Sequence, residues 1–319
     1  MTSGSDLGRE PRPFRFGVQL RTAASAEAWV ELARTAEGLG YSVATLPDHV
    51  ADHLAPVPAL AVIAASTKVL RIGTMVLSND WRHPVLVARD MATLDFLSGG
   101  RLEFGLGAGW MGLDYDRLGI HYDPPAVRID RMTESLEIMK QLLSGASVTH
   151  AGRYYQLEGA NCYPAAVQHP HPPIAIGGGS KHVLSVAGRL ADIVNVHTNL
   201  GAGQRGDPDQ PDLTDAATER RLGWVRTAAG DRFGDIELGL RVPMAAVTDS
   251  RMSKAADLGA RWKIGDEAVI QSPYALVGSV QDIIDDLLAR RERFGFSYIV
   301  WNDTELTTMA PVVKQLSGR

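Results

Sequence analysis

The sequence contains a single cysteine, Cys162, among its 319 residues. One thiol cannot form an intramolecular disulfide, and it excludes a metal site built from several cysteines. Any redox activity of this chain would therefore depend on a bound cofactor and not on a thiol pair.

Long apolar runs and excess positive charge are also lacking. The longest apolar stretch, Leu54–Thr67, is too short to span a bilayer and contains two prolines, so we expect no membrane contact. The first residues lack the apolar core of a signal peptide, which favours a cytoplasmic location. The formal net charge is −5, which argues against a general nucleic-acid binder. A hydrophobic content of 45% still provides a sizeable core, so the composition favours a cytosolic, globular protein.

From Phe14 onward, short apolar segments alternate with segments of helical periodicity, and this pattern predicts a parallel sheet covered by helices. The predicted strands are Phe14–Leu20, Ser42–Leu46, Val69–Leu77, Leu102–Gly107, Pro173–Gly177, Asp192–Val196, Ile236–Val242 and Ser297–Trp301. The helix candidates include Ala26–Leu39, with Ser25 as N-cap and Gly40 as stop, and also Val85–Leu97, Val127–Leu143 and Val280–Arg293. Eight such strands predict an α/β fold, a (β/α)8 TIM barrel.

Two segments do not fit the alternation, namely Ser144–Pro172 and the Gly-, Asp- and Pro-rich Thr198–Asp212. We expect both to be insertion loops at the C-terminal face of the barrel, where long loops form substrate walls. Residues 1–13 are expected to be a disordered tail, and 14–319 a single barrel domain.

If the chain is a barrel, functional residues should follow the carboxyl ends of the strands. The second strand is followed by LPDHVADH, and we expect His49 in the catalytic mouth with Asp48 as a possible orienting group. A metal site formed by His49 and His53 is an alternative, but Val50 stands where a zinc protease needs glutamate. A further alternative is that these residues only cap a turn.

Glycine-rich segments follow the fourth and fifth predicted strands. Gly107 and Gly109 would let the backbone approach a flat ring closely, although a glycine turn at a barrel corner explains them equally well. In IGGGSKH, the glycines of 177–179, Ser180 and Lys181 precede a helix and form a natural anion nest, which predicts a phosphate site on a cofactor. The alternative for this second segment is a plain glycine-rich connection.

Two tryptophans also follow predicted strands. Trp81 and Trp110 are candidates for the lining of a pocket for an aromatic or apolar ligand, or else they cover the core. The run from His169 to Pro173 superficially resembles a metal-binding tract, but its alternating prolines favour a rigid extended connection.

The segments FRFGVQL, LPDHV, LRIGTMVL, VLVARDMATLDFLSGGRLEFGLGAGW and PPIAIGGGS resemble the luciferase-like monooxygenase superfamily. Within it, the chain is most similar to the actinobacterial coenzyme F420-dependent oxidoreductases. The resemblance extends from about Phe14 to Trp301, and the segment LSGGRLEFGLGAGW carries most of its specificity.

The resemblance implies a bacterial luciferase-like barrel that holds a deazaflavin, coenzyme F420, in its C-terminal mouth, with His49 and Asp48 as the active-site pair. It also implies a non-proline cis peptide at Met75–Val76 behind the ring, hydride transfer at C5 of the cofactor and an arrangement that is often homodimeric. The cofactor-binding residues predicted in this way are Gln19, Thr74, Met75, Val76, Ser78, Gly107, Ala108, Gly109, Gly177, Gly178, Gly179, Ser180 and Lys181.

One departure from the family limits the expected substrates. Sugar-oxidising members carry a glutamate where Trp110 stands, so we expect a less polar substrate, such as an enone, an imine or a dehydro-amino-acid unit of secondary metabolism. Two alternatives remain open, an FMN-dependent monooxygenase on the same barrel and a barrel that binds flavin without turnover.

Overall fold

A computed structural model describes residues 11–198 and 212–319, in which thirteen strands lie. In chain order these are β1 (Arg15–Gln19), β2 (Val43–Leu46), β3 (Arg71–Thr74), β4 (Leu77–Ser78), β5 (Leu102–Gly107), β6 (Val148–Ala151), β7 (Gln156–Ala160), β8 (Ile174–Gly178), β9 (Ile193–Val196), β10 (Glu237–Arg241), β11 (Met244–Val247), β12 (Ala275–Gly278) and β13 (Phe296–Asn302).

The large sheet is a closed ring of parallel strands, so the predicted (β/α)8 barrel is confirmed. Its order is β3-β2-β1-β13-β10-β9-β8-β5-β4, and an additional pairing of β3 with β5 closes it. Each of the eight predicted strands supplies one barrel position. The third is interrupted, however, because the predicted strand Val69–Leu77 is divided into β3 and β4 by a cis peptide bond at Met75–Val76. The predicted position of that bond is confirmed.

Eleven α-helices lie in the described ranges, and most of them cover the outside of the ring. They are α1 (Ala26–Gly38), α2 (Pro56–Ser66), α3 (Pro84–Ser98), α4 (Gly112–Leu118), α5 (Pro125–Leu143), α6 (Lys181–Leu190), α7 (Asp215–Ala229), α8 (Arg251–Trp262), α9 (Asp266–Gln271), α10 (Val280–Phe294) and α11 (Ala310–Leu316). The side chain of Ser25 accepts a hydrogen bond from the Ala28 amide and caps α1 as predicted. Within the residues that the structure describes, no helix has the length and apolarity needed to cross a bilayer.

The insertions contain structure that the sequence pattern did not predict. The segment Ser144–Pro172 includes an antiparallel hairpin of β6 and β7, and between β10 and α10 a second small sheet pairs β11 with β12 in parallel. The predicted loop Thr198–Asp212 and most of the predicted N-terminal tail lie outside the described residues. Arg12, within the predicted tail, donates hydrogen bonds to the carbonyls of Gly234 and Asp235.

Apolar packing fills two separate layers. The larger one lies between the sheet and the helices, where strand residues such as Phe16 and Phe104 are fully buried. The smaller one lies inside the ring and contains Val43, Tyr298 and Val300. The barrel is therefore a packed core and not a pore, and the space for a ligand lies at one end of it.

Charged side chains close the N-terminal end of the ring. Arg15 donates hydrogen bonds to Glu103 at 2.6 Å and to Glu237 at 2.6 and 2.9 Å, and Arg71 donates to Glu103 at 2.7 Å. These residues begin or nearly begin β1, β3, β5 and β10, so the network ties four strands together. Although burial alone acts to raise it, the pKa of Glu103 is lowered by the charges of Arg15 and Arg71.

We expect Glu103→Gln to destabilise the fold by about 2–4 kcal/mol at pH 7, because two guanidinium groups lose a shared buried carboxylate. Urea unfolding of the two proteins measures this difference. Since the folded-state pKa of Glu103 is depressed, its contribution is complete above its unfolded pKa of about 4.3 and is lost as the pH falls through the lower folded value.

The matched control is Glu219→Gln, which removes an exposed partner of Arg293 and should cost less than about 1 kcal/mol. Equal destabilisation by the two variants, or a Glu103→Gln effect that grows in acid, would contradict this account.

Candidate functional site

A cavity of about 460 Å³ opens at the carboxyl ends of the barrel strands. Residues that follow almost every barrel strand line it, because parallel strands in a closed ring end at the same rim. The predicted site residues found in its wall are Gln19, Asp48, His49, Met75, Val76, Ser78, Trp81, Gly107, Ala108, Gly109, Trp110, Gly177, Gly178, Gly179 and Ser180.

His49 is held at the rim by an acidic partner from a different segment of the chain. Its Nδ1 lies 2.7 Å from Oδ2 of Asp114, and Oδ1 of Asp114 accepts the backbone N–H of Val50 at 3.1 Å. Asp114 is 1% exposed and belongs to α4. As a carboxylate it can only accept, so Nδ1 carries the hydrogen and Nε2 is left for the cavity side. The Trp110 ring meets the imidazole edge-on, with centroids 5.9 Å apart.

Asp48 does not fill the orienting role that the sequence suggested for it. Its two oxygens accept from Arg82 at 2.6 and 3.0 Å, and Oδ2 also accepts the Ser78 amide at 2.9 Å. The side chain therefore fastens the end of β2 to β4. Asp48 and His49 both lie in the loop after β2, and their side chains have separate partners.

Neighbouring side chains leave no room for a Cβ at the end of β5 and in the loop that follows it. A Cβ on Gly107 would lie 2.6 Å from Cγ2 of Val76. A Cβ on Gly109, whose φ is +73°, would lie 2.1 Å from the Tyr115 hydroxyl and 3.0 Å from Oγ of Ser78. These glycines form a flat wall beside the Met75–Val76 bond.

Thr74 was predicted to bind a cofactor, but it faces the barrel wall. Its hydroxyl donates to the Gly105 carbonyl at 2.7 Å and accepts the Gly105 amide at 2.9 Å. Thr74 thus replaces the ladder hydrogen bonds where the third barrel strand is interrupted, and it does not line the cavity.

The turn after β8 leads into α6 at the cavity wall. Ser180 caps the helix and accepts from the Val183 amide at 3.5 Å, and a Cβ on Gly178 would lie 2.2 Å from Cγ1 of Val183. The turn thus presents backbone beside the N-terminus of a ten-residue helix, as an anion site requires. Lys181, predicted as part of the site, is exposed and does not line the cavity.

Arg128 is a lining residue that the sequence pattern did not indicate. It is 3% exposed and donates to the Ala108 carbonyl at 3.3 Å, to the Gly109 carbonyl and to the Asp123 carbonyl at 2.9 Å. A guanidinium on α5 therefore fixes the glycine loop after β5 through main-chain oxygens.

Two further lining residues, His197 and Arg241, were also missed. Burial and the nearby charges of Arg241 and Arg221 lower the pKa of His197 to about 4, so its imidazole is neutral at neutral pH. Burial and the charge of Arg21 lower the pKa of Arg241 to about 10. The strand-end rule that found His49 would have found both, since His197 directly follows β9 and Arg241 ends β10.

Comparison with known proteins relates this chain to a family. A family model described as luciferase-like monooxygenase matches residues 12–206. An F420-dependent glucose-6-phosphate dehydrogenase of Microbacterium testaceum is 32% identical over 193 residues, 56% of this chain and 55% of the relative. The chain spans about half the length of such F420-named relatives. The oxygenase component of a flavin-dependent trigonelline monooxygenase of Acinetobacter baylyi is 25% identical over 319 residues, 87% of this chain and 83% of the relative.

Solved structures share the fold at lower identity. The coenzyme F420-dependent tetrahydromethanopterin reductase of Methanopyrus kandleri superposes with a TM-score of 0.77 at 17% identity, covering 96% of this chain and all of the other. At this identity the likeness concerns the fold. Because the family model covers more than half of the sequence, the chain belongs to the luciferase-like monooxygenase family.

Proposed function

We propose that the protein is an oxidoreductase that binds coenzyme F420 in the barrel mouth and transfers a hydride between the deazaflavin C5 and a small organic substrate. The observation that carries the proposal is a His49 imidazole held by buried Asp114 at the edge of a glycine-walled cavity. Curated relatives named as F420-dependent, at 32% identity, support this choice of cofactor.

The cavity wall fits a flat ring. Gly107 and Gly109 stand where any Cβ would collide with neighbouring atoms, so the wall beside the Met75–Val76 bond stays planar. Two buried polar atoms of the lining, Ser78 Oγ and Trp81 Nε1, have no hydrogen-bond partner among the described residues. Buried polar groups are normally paired, so these two atoms support a polar ligand at this wall.

The turn at Gly177–Ser180 fits the phosphate of such a cofactor. The N–H groups at the start of α6, where a helix has no intrahelical acceptors, and the positive end of its dipole favour a negative group here. The side chain of Ser180 already serves the Val183 amide, so the contribution of the turn to binding would come from main-chain donors.

When bound, the deazaflavin would supply the hydride donor or acceptor, since the chain has no redox-active side-chain pair of its own. His49 would hold or move the accompanying proton at Nε2, because Asp114 engages Nδ1 and fixes the ring orientation. The Trp110 ring packed against His49 would keep water from that edge of the cavity.

The second candidate is an FMN-dependent monooxygenase on the same barrel. It is favoured by the trigonelline monooxygenase component, because that match extends over 87% of this chain. The flat wall and the phosphate turn suit either ring system, so the cofactor itself has to be tested.

We expect the purified protein to bind F420 with saturable quenching of its fluorescence, and to bind FMN more weakly. Parallel titrations with the two cofactors measure this. Tight FMN binding without F420 binding would favour the monooxygenase, and binding of neither would refute both assignments.

We expect Gly109→Ala to weaken cofactor binding more than about ten-fold, since a Cβ at this position enters the ring wall and pushes on Tyr115 and Ser78. Gly119→Ala is the matched control, because Gly119 has a φ of +67° and nothing within 4 Å of an added Cβ. The same fluorescence titration measures both variants. Equal losses would mean that backbone strain, and not the wall, explains the effect.

We expect His49→Ala to lower turnover by roughly 10²–10⁴-fold while cofactor affinity changes little, because a positioned acid or base is lost. Asp114→Asn should act in the same direction and displace the pH profile of turnover, since an amide can stabilise the other imidazole tautomer. Absorbance of the cofactor during turnover gives the rate. Near-normal rates in His49→Ala would exclude the histidine from the mechanism.

A further inference from the structure

The rim of the cavity divides into two halves that differ in chemistry. The features suited to a ring and its phosphate follow β4, β5 and β8, which are consecutive in the sheet. The opposite half is formed by the ends of β10 and β1, which flank β13 in the sheet. It carries Arg241 and Arg21, which both line the cavity. We name the half that follows β4, β5 and β8 the glycine half. A cofactor bound there would leave these two guanidinium groups facing the remaining space.

Arg241 is held in place by neutral groups alone. Its Nε donates to Oε1 of Gln19 at 3.0 Å and its Nη2 to Oδ1 of Asn302 at 2.7 Å. Gln19 in turn donates from Nε2 to the Met75 carbonyl at 3.2 Å, which fixes the amide orientation. Nη1 of Arg241 has no hydrogen-bond partner among the described residues. The guanidinium is thus oriented rigidly, with one free edge.

Carboxylates near this half do not neutralise the cavity surface. Asp303 binds Arg21 at 3.0 Å, and Glu305 lies close enough to raise the pKa of Arg241, yet neither lines the cavity. The acidic side chains that do line it in the described ranges, Asp48 and Asp114, are engaged by Arg82 and His49. A partly buried cation without a carboxylate partner is costly, so this half favours an anionic ligand.

We propose that Arg241 and Arg21 form a carboxylate-binding subsite, and that the substrate is a monocarboxylic acid with an apolar body. The proposal rests on the proposed function only in taking the glycine half of the rim for the cofactor. It also narrows the expectation of a less polar substrate that the tryptophan at position 110 suggested.

The composition of the subsite favours a single negative charge. Asp303 offsets part of the charge of Arg21, and His197 adds none because its pKa is about 4. A carboxylate can accept from Nη1 of Arg241 and from Arg21 in charge-assisted hydrogen bonds. The rest of the wall includes Leu213 and Trp262, which suit an aromatic or aliphatic body.

Matched acids and amides test this subsite without knowledge of the natural substrate. The probes are benzoate against benzamide and indole-3-acetate against indole-3-acetamide, titrated by calorimetry into the full chain, both alone and saturated with its cofactor. We expect at least one acid to bind about ten-fold more tightly than its amide, because only the acid forms the charge-assisted hydrogen bonds.

The variants assign that preference to residues. Arg241→Gln should remove the preference for the acid over its amide, and Arg21→Gln should reduce it. Arg241→Lys should retain part of this preference because the positive charge stays. Arg34→Gln, an exposed arginine on α1, is the control and should leave it unchanged. Thermal melting of each variant identifies any that fail to fold. If Arg241→Gln does not fold, the test uses Arg241→Lys in its place.

Equal binding of acid and amide to the wild type, or no binding of any acid at millimolar concentration, would overturn the proposal. So would a preference for acids that survives in both Arg241→Gln and Arg21→Gln. If the wild type shows no preference for acids and Arg241→Gln loses cofactor affinity, Arg241 instead binds the cofactor ring. If the protein binds no flavin or F420 yet keeps an Arg241-dependent preference for acids, the cofactor proposal fails and the subsite stands.

Discussion

The pairing of β3 with β5 is the constraint on which the rest of the molecule depends. It turns a twisted parallel sheet into a ring, and residues that follow strands far apart in the chain then share one rim. The ring closes at the position where the third barrel strand is interrupted by the Met75–Val76 bond. The Thr74 hydroxyl, bonded to both main-chain groups of Gly105, holds the two sides together there. The most irregular backbone of the cavity is thus also one of its most firmly fixed parts.

The two ends of the barrel differ in how their polar and charged side chains are paired. At the N-terminal end, the charges of Arg15, Arg71, Glu103 and Glu237 pair with one another within the protein. At the C-terminal end, polar atoms of Ser78, Trp81 and Arg241 lack partners among the described residues. The first arrangement contributes to stability, and the second leaves hydrogen-bonding capacity for a ligand.

Within that rim, buried or half-buried side chains hold groups that line the cavity. Asp114 holds His49, Arg82 holds Asp48 against β4, and Arg128 holds the loop after β5. Each supporting residue comes from a helix or loop outside the barrel strands. The helices and loops around the rim therefore fix the site as much as the strands do, and the rim is a pre-organised surface.

Most of the fold could be predicted because parallel strands buried on both faces leave an apolar signature in the sequence. The hairpin of β6 and β7 and the pair of β11 and β12 were missed, since they are short and, in the hairpin, mostly exposed. His49 and the glycines were found because they follow predicted strands. His197 and Arg241 obey the same rule but belong to no sequence motif, and they were missed although both line the cavity.

The sequence by itself determined the number and order of the barrel strands, the strand ends that face the site and the resemblance to a family. The tertiary structure decided which side chains are in contact. In it His49 is hydrogen-bonded to Asp114, the Thr74 hydroxyl is bonded to Gly105, and Lys181 lies outside the cavity. The physical reason is that periodicity records burial along one segment. A hydrogen bond depends on the direction of two side chains and on the distance between segments that only the closed barrel brings together.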